Sequence, residues 1–520
     1  MVKWPVNRGK AALAAGLLLL PPTGTPAAPP AGSSGPGGAP LPPAEAAALL
    51  ARRRAGPAVL VRRGMTALAP ENTLRAFGLA MDYGADGVAV EVRRTRDGVL
   101  VVFADETVER LLRGVGRVRE HTLAQLRALR PVTRYGRLLG GNVATLAELG
   151  GLARARAMLL RLDLKEPGLE ADVARLLTGR GLWPQVVAFG PGHADSLRRD
   201  PRFHPLRPKA PSLAADRRDL DPGAVAAALA RPGELLLVGD PRVAARALRR
   251  PPPRPRWVIT KWRFVMPPAA ATTRTEPVWR PPEVIERLNR LRPPPTEERL
   301  LSLLRDAERP LPGLSERQRV VLLSTRAWLV MELGARGRNN RTTRRALEGV
   351  IAHPLTVADP ALDGVDVALA IRALGELGST ASAKLLTRFF PAGAKAAATN
   401  ATARARRWRR RRYLIPALGG LRCRAARRFL ADYVRQPAAA AARYGPPQFA
   451  AATRALMQQR LDWAAIARLL RSPNSVVRGT ALLECLDHAN EERRLALRQA
   501  APWAFALPGP RAVLPSPAAR

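Results

Sequence analysis

The sequence predicts an α/β domain built from repeated strand and helix units, followed by an all-α domain of helical repeats. Three observations predict this organisation. Apolar runs of strand length alternate with helical patterns in the first half, which is typical of a parallel sheet. A proline-rich break then covers Pro267–Pro282. Beyond the break the pattern is helical only, and a segment recurs at a fixed offset. A chain of 520 residues is long enough to bury more than one core.

The strand predictions rest on short, mainly apolar runs bounded by turn residues. The candidates are Ala58–Val61, Gly87–Val92, Val99–Phe103, Met158–Leu164, Gln185–Phe189 and Leu235–Val238, with a weaker pattern at Pro208–Leu213 and Trp257–Thr260. Eight strands over about 200 residues are compact for a barrel of eight βα units, which typically takes ~250 residues.

The helical half contains an internal repeat. The segment Ala373–Ala381 recurs 44 residues later as Ala417–Ala425. A further segment, Ser472–Leu486, is similar to the start of a HEAT-repeat helix. This period predicts a HEAT-like solenoid whose surface binds a protein partner. The alternative is an ordinary helical bundle in which alanine and leucine recur because they are abundant.

The chain is predicted to have five parts. These are a leader over 1–45, the α/β domain over 46–266, a proline-rich linker over 267–295, the helical repeats over 296–505 and a tail over 506–520. In the leader, basic residues precede the apolar run Ala11–Leu20, which predicts an export signal and a periplasmic or extracellular protein. If the leader is instead a low-complexity segment, the protein is cytoplasmic.

The formal net charge of +43 is carried almost entirely by arginine, because only seven of the 85 basic residues are lysines. Arginine enrichment beside abundant alanine, proline and glycine is what a GC-rich coding sequence produces, and binding to a polyanion is the alternative. The strongest local run is Arg404–Arg412, which surrounds Trp408. It predicts either a nucleic-acid or anionic membrane surface, or a solvated helix face.

The motifs of the first half share one order and spacing with a known family. They are Val61-Arg62-Arg63-Gly64, Pro70-Glu71-Asn72-Thr73, Gly84-Ala85-Asp86-Gly87, Glu91-Val92, Val102-Phe103-Ala104-Asp105 and Leu162-Asp163-Leu164-Lys165. Residues about 57–165 resemble the front half of the glycerophosphodiester phosphodiesterase family, and a weaker resemblance extends to about residue 262. The resemblance implies a TIM-type (β/α)8 barrel, whose site lies at the carboxyl ends of the strands.

The resemblance also implies two catalytic histidines, at the ends of the first and third strands. Here those positions hold Arg62 and Ala104, whereas the neighbouring Arg63, Gly64 and Asp105 match the family pattern. No histidine precedes His121, for which the sequence predicts a surface or helix-capping position. No catalytic residue of the family is therefore expected to be intact.

The family's metal site is altered as well. Its second strand carries Glu and Asp at alternate positions, which this chain replaces with Ala89 and Glu91. The third acidic ligand of the family corresponds to Asp163, and Lys165 matches the family's lysine. Glu91 and Asp163 form an incomplete set, so we expect no cofactor, or at most weakly held Mg²⁺ or Ca²⁺.

The leading hypothesis is a catalytically degenerate barrel that binds a phosphodiester or lipid headgroup, or that serves as a scaffold. Its predicted ligand-binding residues are Arg62, Arg63, Glu71, Asp105 and Lys165, because arginine forks match phosphate oxygens. Neutral drift of Arg62 and a helix-capping role for Glu71 are the structural alternatives. The competing functions are an active or residual metal-dependent phosphoric diester hydrolase in lipid metabolism, and a basic nucleic-acid or membrane-surface binder.

Overall fold

The computed structural model describes residues 42–248 and 280–488, except 56, 67–68, 133–141, 207–224, 226, 229–234, 309–312, 389–411, 437–445, 458, 460 and 462. The described residues divide into two compact units. The sheet unit holds 42–106, 121–248 and 427–488, and the helical unit holds 107–120 and 280–426.

The sheet unit is built on six strands. They are β1 (Ala58–Arg62), β2 (Gly87–Arg94), β3 (Leu100–Val102), β4 (Leu159–Leu164), β5 (Val186–Phe189) and β6 (Leu235–Val238). Five of them are parallel in the order β5-β4-β2-β1-β6. This sheet is compatible with part of a barrel, and the six stronger strand predictions are confirmed in position. The two weaker candidates, at 208–213 and 257–260, lie outside the described residues.

The third strand departs from the repeated parallel pattern that the sequence predicted. β3 pairs antiparallel with β2, with Val92 opposite Val102. The cause is a tight turn after β2, in which Gly98 adopts a left-handed φ of 80° and its N–H bonds to the carbonyl of Thr95 at 3.0 Å. Asp-Gly between two apolar runs is a hairpin signal, so the prediction of a parallel β3 was wrong for a reason visible in the sequence.

Three helices of the sheet unit begin at a threonine side chain that caps them. Thr73, Thr122 and Thr145 each accept a hydrogen bond from the backbone N–H three residues later. The α-helices are Pro43–Ala55, Leu74–Asp82, Leu123–Ala128, Leu146–Ala155, Glu170–Gly179, Asp195–Arg198, Arg242–Ala247, Pro446–Met457, Trp463–Leu470 and Ser475–His488, and Arg424–Val434 spans the boundary between the units.

The two faces of the sheet differ in chemistry. One face is apolar along most of its length and packs on the helices through residues such as Val61, Val90 and Leu162. The other face is apolar only near the amino ends of the strands, where Leu60, Leu159 and their neighbours pack against the helix Pro43–Ala55. Alternation along each strand places the next residues of this second face at the carboxyl ends. Those residues are charged and form the candidate site.

The helical unit begins inside the predicted linker. Its α-helices are Pro281–Asn289, Glu297–Glu308, Glu316–Arg336, Arg341–Ala352, Val365–Glu376 and Ala383–Arg388, followed by a helix over 412–420. The first of them starts with two prolines, which are well suited to the first turn of a helix because its N–H groups have no intrahelical partner. Prolines that indicated a linker over 267–295 therefore also start a helix.

A short segment of the predicted α/β domain belongs to the helical unit. Residues 107–120 pack with it through a bidentate pair in which Arg117 contacts Asp359 at 2.5 and 2.7 Å. Arg372 also donates to the carbonyl of Glu109 at 2.7 Å. The boundary 46–266 therefore encloses a segment of the other unit. The chain returns to the sheet unit at His121, which is buried rather than on the surface.

Several predictions fall on residues that the structure does not describe. These are residues 1–41 of the leader, 404–411 of the arginine run and the tail over 506–520. Export and binding to an anionic surface therefore stay predictions. In the part of the chain that the structure describes, no helix is both long enough and apolar enough to cross a membrane.

The carboxyl groups of Glu297 and Glu308, at the two ends of one helix, should have opposite effects on the pH dependence of stability. Burial raises the pKa of Glu308 above its usual value of 4.5, and Arg326 and His353 only partly oppose this. Burial also acts to raise the pKa of Glu297, but hydrogen bonds from Thr343, Arg338 and Asn340 outweigh it and lower that pKa.

A carboxyl group whose pKa is higher in the folded than in the unfolded state stabilises the fold at low pH, and this stabilisation is lost as pH rises through the folded-state pKa. A carboxyl group whose pKa is lower in the folded state stabilises the fold at high pH, and this stabilisation is lost as pH falls through the folded-state pKa. Relative to Glu308→Gln, the wild type should therefore gain stability as pH falls from 7 towards 4.5. Relative to Glu297→Gln, it should lose stability as pH falls below about 4.5. Urea unfolding across this range measures both, and parallel profiles for the two variants would contradict the assignment.

Candidate functional site

The candidate site is a group of charged side chains at the carboxyl ends of β1, β2 and β4. Arg62 pairs in register with Ala89, and Ala89 pairs with Arg161 on its other side. One step further along, Glu91 pairs with Asp163. Register partners of parallel strands point to the same side of a sheet. The structure thus brings together four positions singled out in the sequence, and it adds Arg161.

Glu91 is the buried centre of the group. Only 1% of its surface is exposed. Its Oε1 accepts hydrogen bonds from Nε of Arg62 at 3.1 Å and from Nε of Arg63 at 3.2 Å, and Nη2 of Arg62 lies 3.1 Å away. Its Oε2 is buried and has no hydrogen-bond partner among the described residues. The carboxylate of Glu91 thus holds both Arg62 and Arg63, the two arginines at the end of β1.

A strained turn after β1 positions Arg63. Arg63 and Gly64 have φ angles of 68° and 80°, and a Cβ on Gly64 would lie 2.7 Å from the backbone carbon of Ala76. A left-handed non-glycine residue costs about 1–3 kcal/mol and is held by its surroundings. Here the Arg63 N–H donates to the carbonyl of Ala89 at 3.1 Å.

The same turn brings Arg63 to Glu71. Nη1 of Arg63 lies 3.2 Å from Oε1 of Glu71. The alternative that Glu71 caps the following helix is wrong, because Thr73 is the N-cap and its hydroxyl accepts from the N–H of Ala76 at 3.2 Å. Glu71 therefore belongs to the charged group.

The carboxyl end of β4 carries a second ion pair. Nζ of Lys165 lies 2.7 Å from Oδ2 of Asp163. The other oxygen of Asp163, Oδ1, is buried and lacks a hydrogen-bond partner within the described chain. Two residues earlier, burial lowers the pKa of Arg161, an effect that Asp163 opposes and Arg62 reinforces.

Arg93 links the ends of β2, β3 and β4. Its Nη1 donates to Oε1 of Glu166 at 2.9 Å and its Nη2 to the carbonyl of Ala104 at 3.2 Å. Ala104, where the family resemblance implies the second histidine, therefore lies beside Arg93, and Asp105 is the next residue in the chain. Sequence reasoning did not assign Arg93, Arg161 or Glu166. The signal was present, because residues 89, 91 and 93 and residues 161, 163 and 165 alternate onto one face.

These residues do not fit a divalent metal ion. Ala89 offers no oxygen ligand, Glu91 is held by two arginines, and Asp163 is held by Lys165. Hard cations require several convergent oxygens. Over the ranges that the structure describes, no group of three or more His, Cys, Asp or Glu side chains is arranged to hold a metal.

Comparison with known proteins gives a family for this part of the chain. The Glycerophosphoryl diester phosphodiesterase family model matches residues 63–161. A glycerophosphodiester phosphodiesterase from Caldanaerobacter subterraneus is 35% identical over 141 residues, which are 26% of this chain and 58% of the relative. Glycerophosphodiester phosphodiesterase 1 from Homo sapiens is 38% identical over 78 residues, which are 15% of this chain and 24% of the relative.

Solved structures of glycerophosphodiester phosphodiesterases also align with this chain. A crystal structure of glycerophosphodiester phosphodiesterase from Agrobacterium tumefaciens aligns with a TM-score of 0.31 and 21% identity, covering 36% of this chain and 99% of that one. The chain thus shares only part of the length of the curated relatives it matches, and much of it lies outside these alignments.

Proposed function

Because residues 63–161 match the Glycerophosphoryl diester phosphodiesterase family model, we propose that this chain binds a phosphodiester or lipid headgroup at the carboxyl ends of its strands without hydrolysing it. The observation that supports this proposal most directly is the pairing of the buried Glu91 carboxylate with Arg62 and Arg63. Arg62 stands where the family resemblance implies a histidine, and it is bonded to a carboxylate where the resemblance implies a metal ligand.

The chemistry of these side chains opposes hydrolysis. A general acid or base contributes typically ~10²–10⁴-fold to a rate. Arginine does not deprotonate in proteins, and alanine has no proton to exchange, so neither Arg62 nor Ala104 can serve. Ala89 supplies no ligand, and Glu91 and Asp163 are each paired with cations, so these three positions do not supply the ligand set of a metal that would activate water or neutralise the phosphate. The protein therefore binds and does not cut.

The same group offers both kinds of hydrogen-bonding partner to a ligand. The side chains of Arg62 and Lys165 are 39% and 31% exposed, so their cations remain accessible to phosphate oxygens. The buried Oε2 of Glu91 and Oδ1 of Asp163 lack partners among the described residues, and they accept hydrogen bonds from ligand hydroxyls. A phosphate ester that carries hydroxyl groups satisfies both sets.

We further propose that the helical part forms HEAT-like stacked repeats that bind a protein partner. The support is close packing between segments that are related by the 44-residue offset. A Cβ on Gly375 would lie 2.5 Å from the Cα of Ala417, and a Cβ on Gly420 would lie 2.5 Å from the carbonyl oxygen of Gly375. An earlier helix follows the same pattern, since a Cβ on Gly334 would lie 2.8 Å from the Cβ of Ala373. These three helices thus approach one another through small residues.

A turnover assay tests the proposed function. The full chain is incubated with glycerophosphocholine and either Mg²⁺, Ca²⁺ or EDTA, and products are followed by ³¹P NMR. The matched control is the variant Glu91→Gln/Asp163→Asn, which keeps the shapes of both side chains. We expect no phosphomonoester from the wild type above the level of this control. Metal-dependent product that the control loses would contradict the proposal and favour a residual hydrolase.

A further inference from the structure

Arg62, Ala89 and Arg161 lie in one row across three neighbouring strands. Arg62 is the register partner of Ala89 on β1, and Arg161 is its register partner on β4. Strands are about 4.8 Å apart, so the two arginine Cα atoms are separated by roughly 9–10 Å. Both side chains extend from the same face of the sheet, and the residue between them in this row is alanine.

Arg161 differs from the other cations of the group. Arg62 and Arg63 are paired with Glu91, Arg93 with Glu166, and Lys165 with Asp163. Within the described residues, by contrast, Arg161 makes no hydrogen bond or ion pair with its side chain, although it is half-buried. A half-buried charge without a partner is costly and gains strongly from an anion.

The two arginines are also close enough to affect each other. Asp163 and Glu91 attract the charge of Arg161, whereas the positive charge of Arg62 repels it. An anion placed between two guanidinium groups that repel each other would neutralise both positive charges. Tetrahedral phosphate presents oxygens in several directions, so each fork can bind different oxygens of one group.

We propose that Arg161 and Arg62 hold one phosphate group above Ala89, in the place where the family resemblance implies a metal ligand. Arg161 is then the principal phosphate-binding residue of this chain. Lys165 and Arg63 also keep Asp163, Glu71 and Glu91 in position. This inference rests on the proposed function, because it assigns the phosphate subsite of that same group of residues.

Isothermal titration of the full chain at low ionic strength tests the assignment, with inorganic phosphate and glycerophosphocholine as probes. The variant Arg161→Met retains an apolar stem and removes the fork. The matched control is Arg175→Met, because the side chain of Arg175 is 79% exposed on a helix and pairs only with Asp172 in the described structure. Charge-assisted hydrogen bonds of this kind correspond to a loss of about 10–100-fold in affinity, and the control should change it by less than about threefold.

The outcomes separate the inference from the proposed function. Wild-type binding that Arg161→Met leaves equal to the Arg175→Met control would overturn the inference alone. A wild type that binds neither probe would overturn the proposed function and the inference with it.

A second pair of variants, Ala89→Glu and Ala89→Gln, tests the same subsite if Arg161→Met fails to fold. The two new side chains have nearly the same size, but only glutamate adds a negative charge between Arg62 and Arg161. We expect glutamate to weaken phosphate binding at least tenfold more than glutamine does. Equal binding by the two variants would overturn the inference.

Discussion

Replacing Asp366 with alanine is expected to destabilise the helical unit by about 3–5 kcal/mol, because it leaves a buried charge without its partner. Nη2 of Arg326 lies 3.4 Å from Oδ2 of Asp366, and the two side chains are 4% and 0% exposed. Asp366 also accepts hydrogen bonds from the N–H groups of Leu355 and Val367 at 3.3 and 2.8 Å. The pair therefore fixes the loop before the helix Val365–Glu376.

Chemical denaturation with a far-UV signal measures this loss. The control is Glu286→Ala, which removes one partner of an i,i+4 pair whose side chains are 51% and 37% exposed in the same unit. Such pairs contribute about 0.3–0.5 kcal/mol, so the control should remain close to the wild type. An Asp366→Ala variant as stable as the control would show that the pair does not stabilise the fold.

Replacing Gly375 with alanine should destabilise the stacked helices by about 3 kcal/mol, which is the upper end of the usual cost of overpacking. The added Cβ would meet the backbone of Ala417, with its Cα at 2.5 Å and its carbonyl oxygen at 2.9 Å. Backbone atoms cannot move aside as the end of a flexible side chain does, so the helix over 412–420 would have to shift.

The control for this substitution is Gly78→Ala in the helix Leu74–Asp82. Apart from its two chain neighbours and the backbone of its own helix, no heavy atom of the described residues lies within 4 Å of the Cβ position there. Alanine should therefore stabilise that helix by about 0.5–1 kcal/mol through its higher propensity. Opposite signs for the two glycines are the expected result. If Gly375→Ala is also neutral or stabilising, the two repeated segments do not pack as described.

The strands were predictable because burial on both faces leaves continuous apolar runs, as in Leu235–Val238. The direction of β3 was missed because the Asp97-Gly98 turn was not weighed as a hairpin signal, although Gly98 has the positive φ that such turns use. The first helix of the helical unit was missed because Pro281 and Pro282 were taken as interruptions. Those errors are local and correctable from sequence.

Other features depend on contacts that sequence order does not reveal. The segment 107–120 joins the helical unit through partners such as Asp359, about 240 residues away along the chain. The sequence places the candidate site at the strand ends, but the pairing of Glu91 with both Arg62 and Arg63 depends on the strained turn at Arg63. Alternation along β4 places Arg161 on the face of Asp163, but its position in one row with Ala89 and Arg62 follows only from the strand register.

The most direct test of the central claim is equilibrium dialysis of the full chain against glycerophosphocholine in the presence of Mg²⁺, with ³¹P NMR of both compartments. The claim predicts excess ligand on the protein side and a phosphodiester signal only, so that the bound molecule is recovered intact. It also predicts that Arg161→Met abolishes most of the excess. Accumulation of a phosphomonoester, or equal ligand concentrations on both sides, would contradict a site that binds phosphate esters without cutting them.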